Sequence, residues 1–180
     1  MTRADYVAAE PSNLTKGQVF ALAESIANQL HYQPGNDLRA LVESVGGTVR
    51  VEDTLTLDRD KSGSLYVDGP DKFSIIVPAH TSPRRDRFTI AHEFGHFIVH
   101  YMWRRQAGRG TPPDKMVAFR RGSERVEWEA NWFAAAFLMP SSAFKEQFSK
   151  RGGRLSEVAE VFGVSESAAQ VRARQLGLAQ

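Results

Sequence analysis

His92-Glu93-Phe94-Gly95-His96 is the stretch from which the rest of the chain can be read. Its form is H-E-x-x-H. On an α-helix, residues i and i+4 lie on one face, one turn apart. Two imidazoles so placed can both reach one zinc ion at about 2.0–2.1 Å. Glu93 follows His92 directly and points about 100° around the helix. It then stands beside the metal rather than on it, where a general base for water belongs. Strings of this form also arise by chance on solvated surface helices. The neighbours argue for burial instead. Phe88, Ala91, Phe94, Gly95, Ile98, Val99 and Met102 make an apolar stripe at helical spacing. A largely buried helix over about residues 87–103 is expected, with the histidines at the edge of its buried face. Two imidazoles and a carboxylate are costly there without partners, and a metal removes that cost.

A third protein ligand has to come from elsewhere, because catalytic zinc sites take three and leave a fourth position for water. His100 is the nearest candidate and a poor one. Positions i, i+4 and i+8 span about 12 Å of helix axis, so one ion cannot touch both ends. His100 is expected to support the site by hydrogen bonding. A second buried helix, Val126-Glu127-Trp128-Glu129-Ala130-Asn131-Trp132-Phe133-Ala134-Ala135-Ala136-Phe137-Leu138-Met139-Pro140, offers better candidates. Glu127 and Asn131 share a face. Glu129 lies about 200° around from Glu127, so only one of the two carboxylates can face the metal. Arg125, four residues before Glu129, can pair with it on the outer face. That leaves Glu127 as the ligand, with Asn131 one turn on to orient a metal-bound His from behind.

The run Arg87-Phe88-Thr89-Ile90-Ala91-His92-Glu93-Phe94-Gly95-His96 is followed by Glu127-x-x-Ala130-Asn131-x-Phe133-Ala134-Ala135 and Leu138-Met139-Pro140. Together they resemble the ImmA/IrrE family of metallopeptidases over roughly residues 16–177. The resemblance implies one Zn²⁺ per chain on His92, His96 and Glu127, with Glu93 catalytic. It also implies a protein substrate: family members typically cleave a helix-turn-helix repressor and so switch on a phage, mobile-element, defence or stress programme.

The 180 residues are 42% hydrophobic and 24% charged, an ordinary balance for a soluble globular protein. With no Cys there is no disulfide framework and no thiolate site, so any zinc must use His and carboxylate. No apolar run approaches a membrane span and the first residues lack a secretory core, so a cytoplasmic location is expected. Charge is uneven. Residues 1–83 hold 7 Lys/Arg and 11 Asp/Glu, whereas residues 84–180 hold 16 and 10. A basic half can meet nucleic acid or an acidic partner, but an Arg-rich solvated surface explains it as simply.

The expected fold class is α+β: a zincin-like core of helices with a small antiparallel sheet, plus a C-terminal hairpin of helix-turn-helix type. Residues 1–15 are polar and read as a flexible terminus. Residues 16–150 form the metallopeptidase domain and 151–180 the hairpin. Within the domain, helices are expected over 16–30 and 38–45 and a strand over 48–52. A β-hairpin over 64–77 turns at Asp68-Gly69-Pro70-Asp71. One of its strands is a candidate edge on which a peptide substrate can add as an extra strand. Residues 104–113 are a basic Gly/Pro-rich loop between the metal helices. Tyr66, His80 and Tyr101 are candidates to stabilise the oxyanion, His80 first because it lies between the presumed edge strand and the metal helix. Two other classes stay open: a regulator that binds a repressor or toxin–antitoxin partner without cutting it, and a DNA-binding regulator that uses Arg172 and Arg174 of the hairpin. The sequence leaves the oligomeric state open.

Overall fold

The computed structural model describes residues 6–53, 63–106, 113–119 and 123–179. Helix α1 (Lys16–Gln29) starts at a capping box, with Thr15 and Gln18 each satisfying the other's backbone N–H. It buries Val19, Ala23 and Ala27. Helix α2 (Leu38–Ser44) is capped by Asp37 and ends at Gly46, whose φ is +89°. A Cβ on Gly46 would sit 2.0 Å from the Asp71 carbonyl oxygen, so only glycine fits this turn into the sheet.

Five strands form one mixed sheet in the order β1 (Val7–Ala8), β5 (Met116–Phe119), β3 (Gly63–Gly69), β4 (Lys72–Pro78), β2 (Gly47–Glu52). The three central strands are antiparallel, and β1 and β2 add in parallel at the two ends. The β3–β4 hairpin turns where the sequence places it. Neither of its strands is an edge, however. β5 covers one side and β2 the other, so the expected docking of a substrate strand on 64–67 or 73–77 is overturned. Strand order is set by tertiary pairing, which alternation along one strand does not encode.

Leu65, Val67, Phe73 and Ile75 point from the sheet into the core. The Phe73 ring stacks on Phe97 at 4.0 Å and faces Phe94 at 6.3 Å, fixing β4 against the helix that carries the H-E-x-x-H residues. That helix, α3 (Pro83–Gly95), begins at an Ser82 cap with Pro at its first position. At His96 it widens into a π-helical segment, His96–Met102, and then resumes as α4 (Trp103–Gln106). Residues 107–112, most of the expected basic loop, lie outside the described residues.

Helix α5 (Glu124–Leu138) packs against both α1 and α3. Gly95 sets the spacing of α3 and α5. A Cβ there would meet the Ala130 carbonyl oxygen and Phe133 at 3.1 Å. Gly95→Ala is therefore expected to push the two helices apart and destabilise the fold by about 1–3 kcal/mol. Urea denaturation reads this directly, and an unchanged midpoint would show that the contact has slack.

The two ends of the chain differ from expectation. Residues 6–15 belong to the fold: β1 pairs with β5, and Ser12 and Leu14 are buried. The C-terminal pair, α7 (Leu155–Phe162) and α8 (Glu166–Gln175), turns at Gly163 as predicted but shares the core of the body. Phe162 stacks on Phe144 of α6 (Ser141–Lys150) at 5.5 Å, so no packing boundary falls at 150/151. Arg172 is fully buried. Its Nε donates to the Met139 carbonyl at 2.9 Å, and its Nη2 lies 3.0 Å from Glu24. It docks the hairpin on the body and cannot reach a phosphate. Among the described residues no helix is long and apolar enough to cross a membrane.

Candidate metal centre

Three side chains converge where α3 meets α5. His92 Nε2 and His96 Nε2 are 3.0 Å apart. Glu127 Oε2 lies 3.2 Å from the first and Oε1 lies 3.4 Å from the second. The i, i+4 spacing supplies the two imidazoles, and the first turn of α5, started by the Ser123 cap, supplies the carboxylate. The ligand atoms all fall within 4.8 Å of one another. Glu127 Oε1 is buried and accepts no hydrogen bond there. Two neutral imidazoles and a carboxylate with an oxygen to spare form the donor set of an open zinc site, whereas a closed structural site would take four protein ligands. The residues present fit the ion.

The nitrogens facing away from this cluster are held. His92 Nδ1 is 3.0 Å from Asn131 Oδ1, so it donates and leaves Nε2 its lone pair. His96 Nδ1 is 3.1 Å from His100 Nδ1, and His100 Nε2 is 3.0 Å from Glu129 Oε2. One proton assignment satisfies every atom of this row. His96 donates to His100, and His100 donates to the carboxylate. Glu129 also accepts from the Ser12 backbone and hydroxyl, both at 2.8 Å, and from Arg125 Nε at 2.9 Å.

This corrects the outer-face reading of Glu129. The Arg125 pair forms, but Glu129 is fully buried, and its carboxylate anchors the row that ends on a ligand histidine. Ser12 was missed altogether. It sits in Pro11-Ser12-Asn13, with no periodicity to mark it, where Asn13 takes φ of 62°. Asn tolerates that left-handed conformation better than most residues. The turn lets the Ser12 hydroxyl also accept from the Leu14 N–H, while Arg125 reaches the Leu14 carbonyl.

Glu93 is buried at 5% exposure, and its charge acts on His92. The three oxyanion candidates lie elsewhere. Tyr66 packs its ring on Tyr6, among residues of the sheet face opposite the core. Tyr101 is fully buried, stacks on Phe97 and donates to the Asp114 carbonyl. His80 is exposed in the turn between β4 and α3. Tyr66 and Tyr101 are thus withdrawn as candidates: the alternation of β3 turns one outward, and packing fixes the other. Nothing in the structure joins His80 to the cluster.

Burial holds His96 down to about 3 and lowers His100, because both imidazoles are kept from water. Burial also works to lower His92, but the Glu127 hydrogen bond and the charges of Glu93 and Glu127 outweigh it and raise the pKa. Burial works to raise both carboxylates. The two imidazoles beside it nevertheless hold Glu127 at about 2, and hydrogen bonds from His100, Ser12 and Arg125 hold Glu129 at about 2. Between the ordinary histidine value of 6.5 and about 3, the unfolded chain binds a proton that His96 refuses in the fold, and the lowered His100 acts in the same direction below 6.5. Stability then rises with pH across that window. The two carboxylates act in the same direction between 4.5 and about 2. His92 alone opposes, since its raised pKa stabilises the fold below 6.5 and that gain fades as pH rises through the folded value. The metal-free protein is therefore expected to lose melting temperature steadily from pH 7 to pH 4. A flat or rising profile by differential scanning calorimetry would contradict this charge arrangement.

The family model described as IrrE N-terminal-like domain, a peptidase family, matches residues 49–174 of the chain. The fold is similar to that of a solved structure, a Mycobacterium tuberculosis transcriptional regulator, with a TM-score of 0.58 and 18% identity. That match covers 88% of this chain and 46% of the regulator, so the chain spans about half of its length. No curated protein matches the chain.

Proposed function

The chain belongs to the IrrE N-terminal-like peptidase family, and on that premise we propose that it is a zinc-dependent endopeptidase that cuts a helix-turn-helix transcriptional repressor. The observation that carries the reading is the convergence of His92, His96 and Glu127, with Glu93 next to the first of them. Zinc held by those three would supply a Lewis acid that acidifies water and polarises a peptide carbonyl. Glu93 takes one proton from the attacking water as its oxygen adds to the carbonyl carbon. Glu93 then gives that proton to the amide nitrogen, the C–N bond breaks, and a carboxylic acid and an amine result. Asn131 keeps His92 in the required tautomer. The His100–Glu129 pair does the same for His96.

The repressor part of the proposal follows from what the family resemblance implies. Its test is a substrate trap. The Glu93→Gln protein, purified from its host before and after DNA damage, is expected to carry a helix-turn-helix repressor that the wild-type enzyme cuts. Stable partners that wild type never cuts would instead identify a regulator that works by binding.

A further inference from the structure

A cavity of about 770 Å³ starts at Asn131, the residue that holds His92, and extends between α3, α5 and α8. Its apolar surface comes from Phe88, Trp128, Trp132 and Val171. Among the described residues four large hydrophobic side chains are exposed, and Trp128 and Val171, each at 50%, are two of them. A single exposed apolar residue needs no explanation. Two of them on different helices, facing one cavity beside a candidate reaction centre, make a binding surface.

Charge narrows the occupant. Arg84 and Arg85 stand exposed on the α3 side and form no ion pair among the described residues. Among the described residues, Glu166, in the first turn of α8, is the one acidic residue lining the cavity. The α3 wall therefore favours carboxylates, while the floor favours a bulky apolar side chain.

We infer that this groove holds the part of a protein substrate next to the scissile bond, and that it selects an apolar anchor flanked by acidic residues along the α3 wall. The inference rests on the peptidase reading for its link to a scissile bond. Asn131 gives that link, because it both lines the groove and holds His92 Nδ1 at 3.0 Å.

The test uses short synthetic peptides in which an apolar residue is flanked by acidic, neutral or basic residues. Their binding to zinc-loaded Glu93→Gln protein is read by fluorescence polarisation. Acidic-flanked peptides with Leu, Ile or Phe are expected to bind tightest. Adding Arg84→Glu and Arg85→Glu together is expected to weaken them about tenfold and turn the preference towards Lys and Arg flanks. Trp128→Ala is expected to weaken all apolar anchors about tenfold. All three positions are exposed, and unchanged zinc content and melting temperature show that each variant is folded. Absence of binding, absence of an acidic preference, or a preference that survives the charge reversal overturns the groove. Incubation with wild type separates the two readings. Peptides that bind with the stated preference but are never cut end the peptidase reading and leave the groove. Peptides cut without regard to flanking charge end the groove and leave the peptidase.

Discussion

Glu93→Gln is expected to bind zinc as wild type does and to lose about 10²–10⁴ in turnover, the range that a positioned general base contributes. The substitution is close to isosteric, so the buried site keeps its shape. Gln cannot accept the proton that the attacking water sheds, nor return one to the leaving amine. Glu93 is 5% exposed and stands outside the His92, His96 and Glu127 set, so its replacement removes no ligand. Zinc content by mass spectrometry should therefore be unchanged while peptide cleavage collapses. Turnover within a few-fold of wild type would take Glu93 out of the mechanism.

The second large effect divides two carboxylates that lie two residues apart. Glu127→Ala should abolish tight zinc binding and cost the metal-free fold less stability than Glu129→Ala does. Glu127 is partly exposed, and among the described residues its carboxylate pairs with the two histidines. Glu129→Ala should do the reverse in kind. It strips four donors of their common acceptor inside the protein: His100, Arg125, and the backbone and hydroxyl of Ser12. Breaking a buried charged network from one side costs about 3–5 kcal/mol. Urea denaturation of the metal-free proteins, set beside zinc affinity, distinguishes the two. Equal loss of stability in both variants would contradict the division of labour between the two carboxylates.

The Glu129 misreading shows where sequence logic stops. The angle between positions 127 and 129 is right, and so is the Arg125 pair. The error lies in equating the side away from the metal with the solvent. Helix α5 is apolar nearly all round, with Phe133, Ala134, Ala135, Ala136, Phe137 and Leu138 all buried, and a helix of that kind has little outer face. Its far side is covered by residues 12–14, which carry no periodic signal. Helices α1, α3 and α5 and the β3–β4 hairpin were legible because their apolar spacing is sustained over several turns or pleats. Strands β1 and β5, at 2 and 4 residues, are too short to show a period. The π-helical segment was hidden for another reason. His96 and His100 sit four apart, which suits an α-helix as well, so their spacing does not mark the wider turn.

Ser12 and Glu129 are 117 positions apart in the chain, yet they share two hydrogen bonds. During synthesis Ser12 leaves the ribosome long before its acceptor exists. The histidines, too, wait for Asn131 and Glu127 to emerge. A contact closing so long a loop carries a large entropic cost and tends to form late. The nascent polypeptide thus spends most of its growth with the metal centre unassembled, and the donor set comes together only once α5 has emerged. On the proposed peptidase reading, the chain is harmless to its neighbours until the two helices of its metal centre have met.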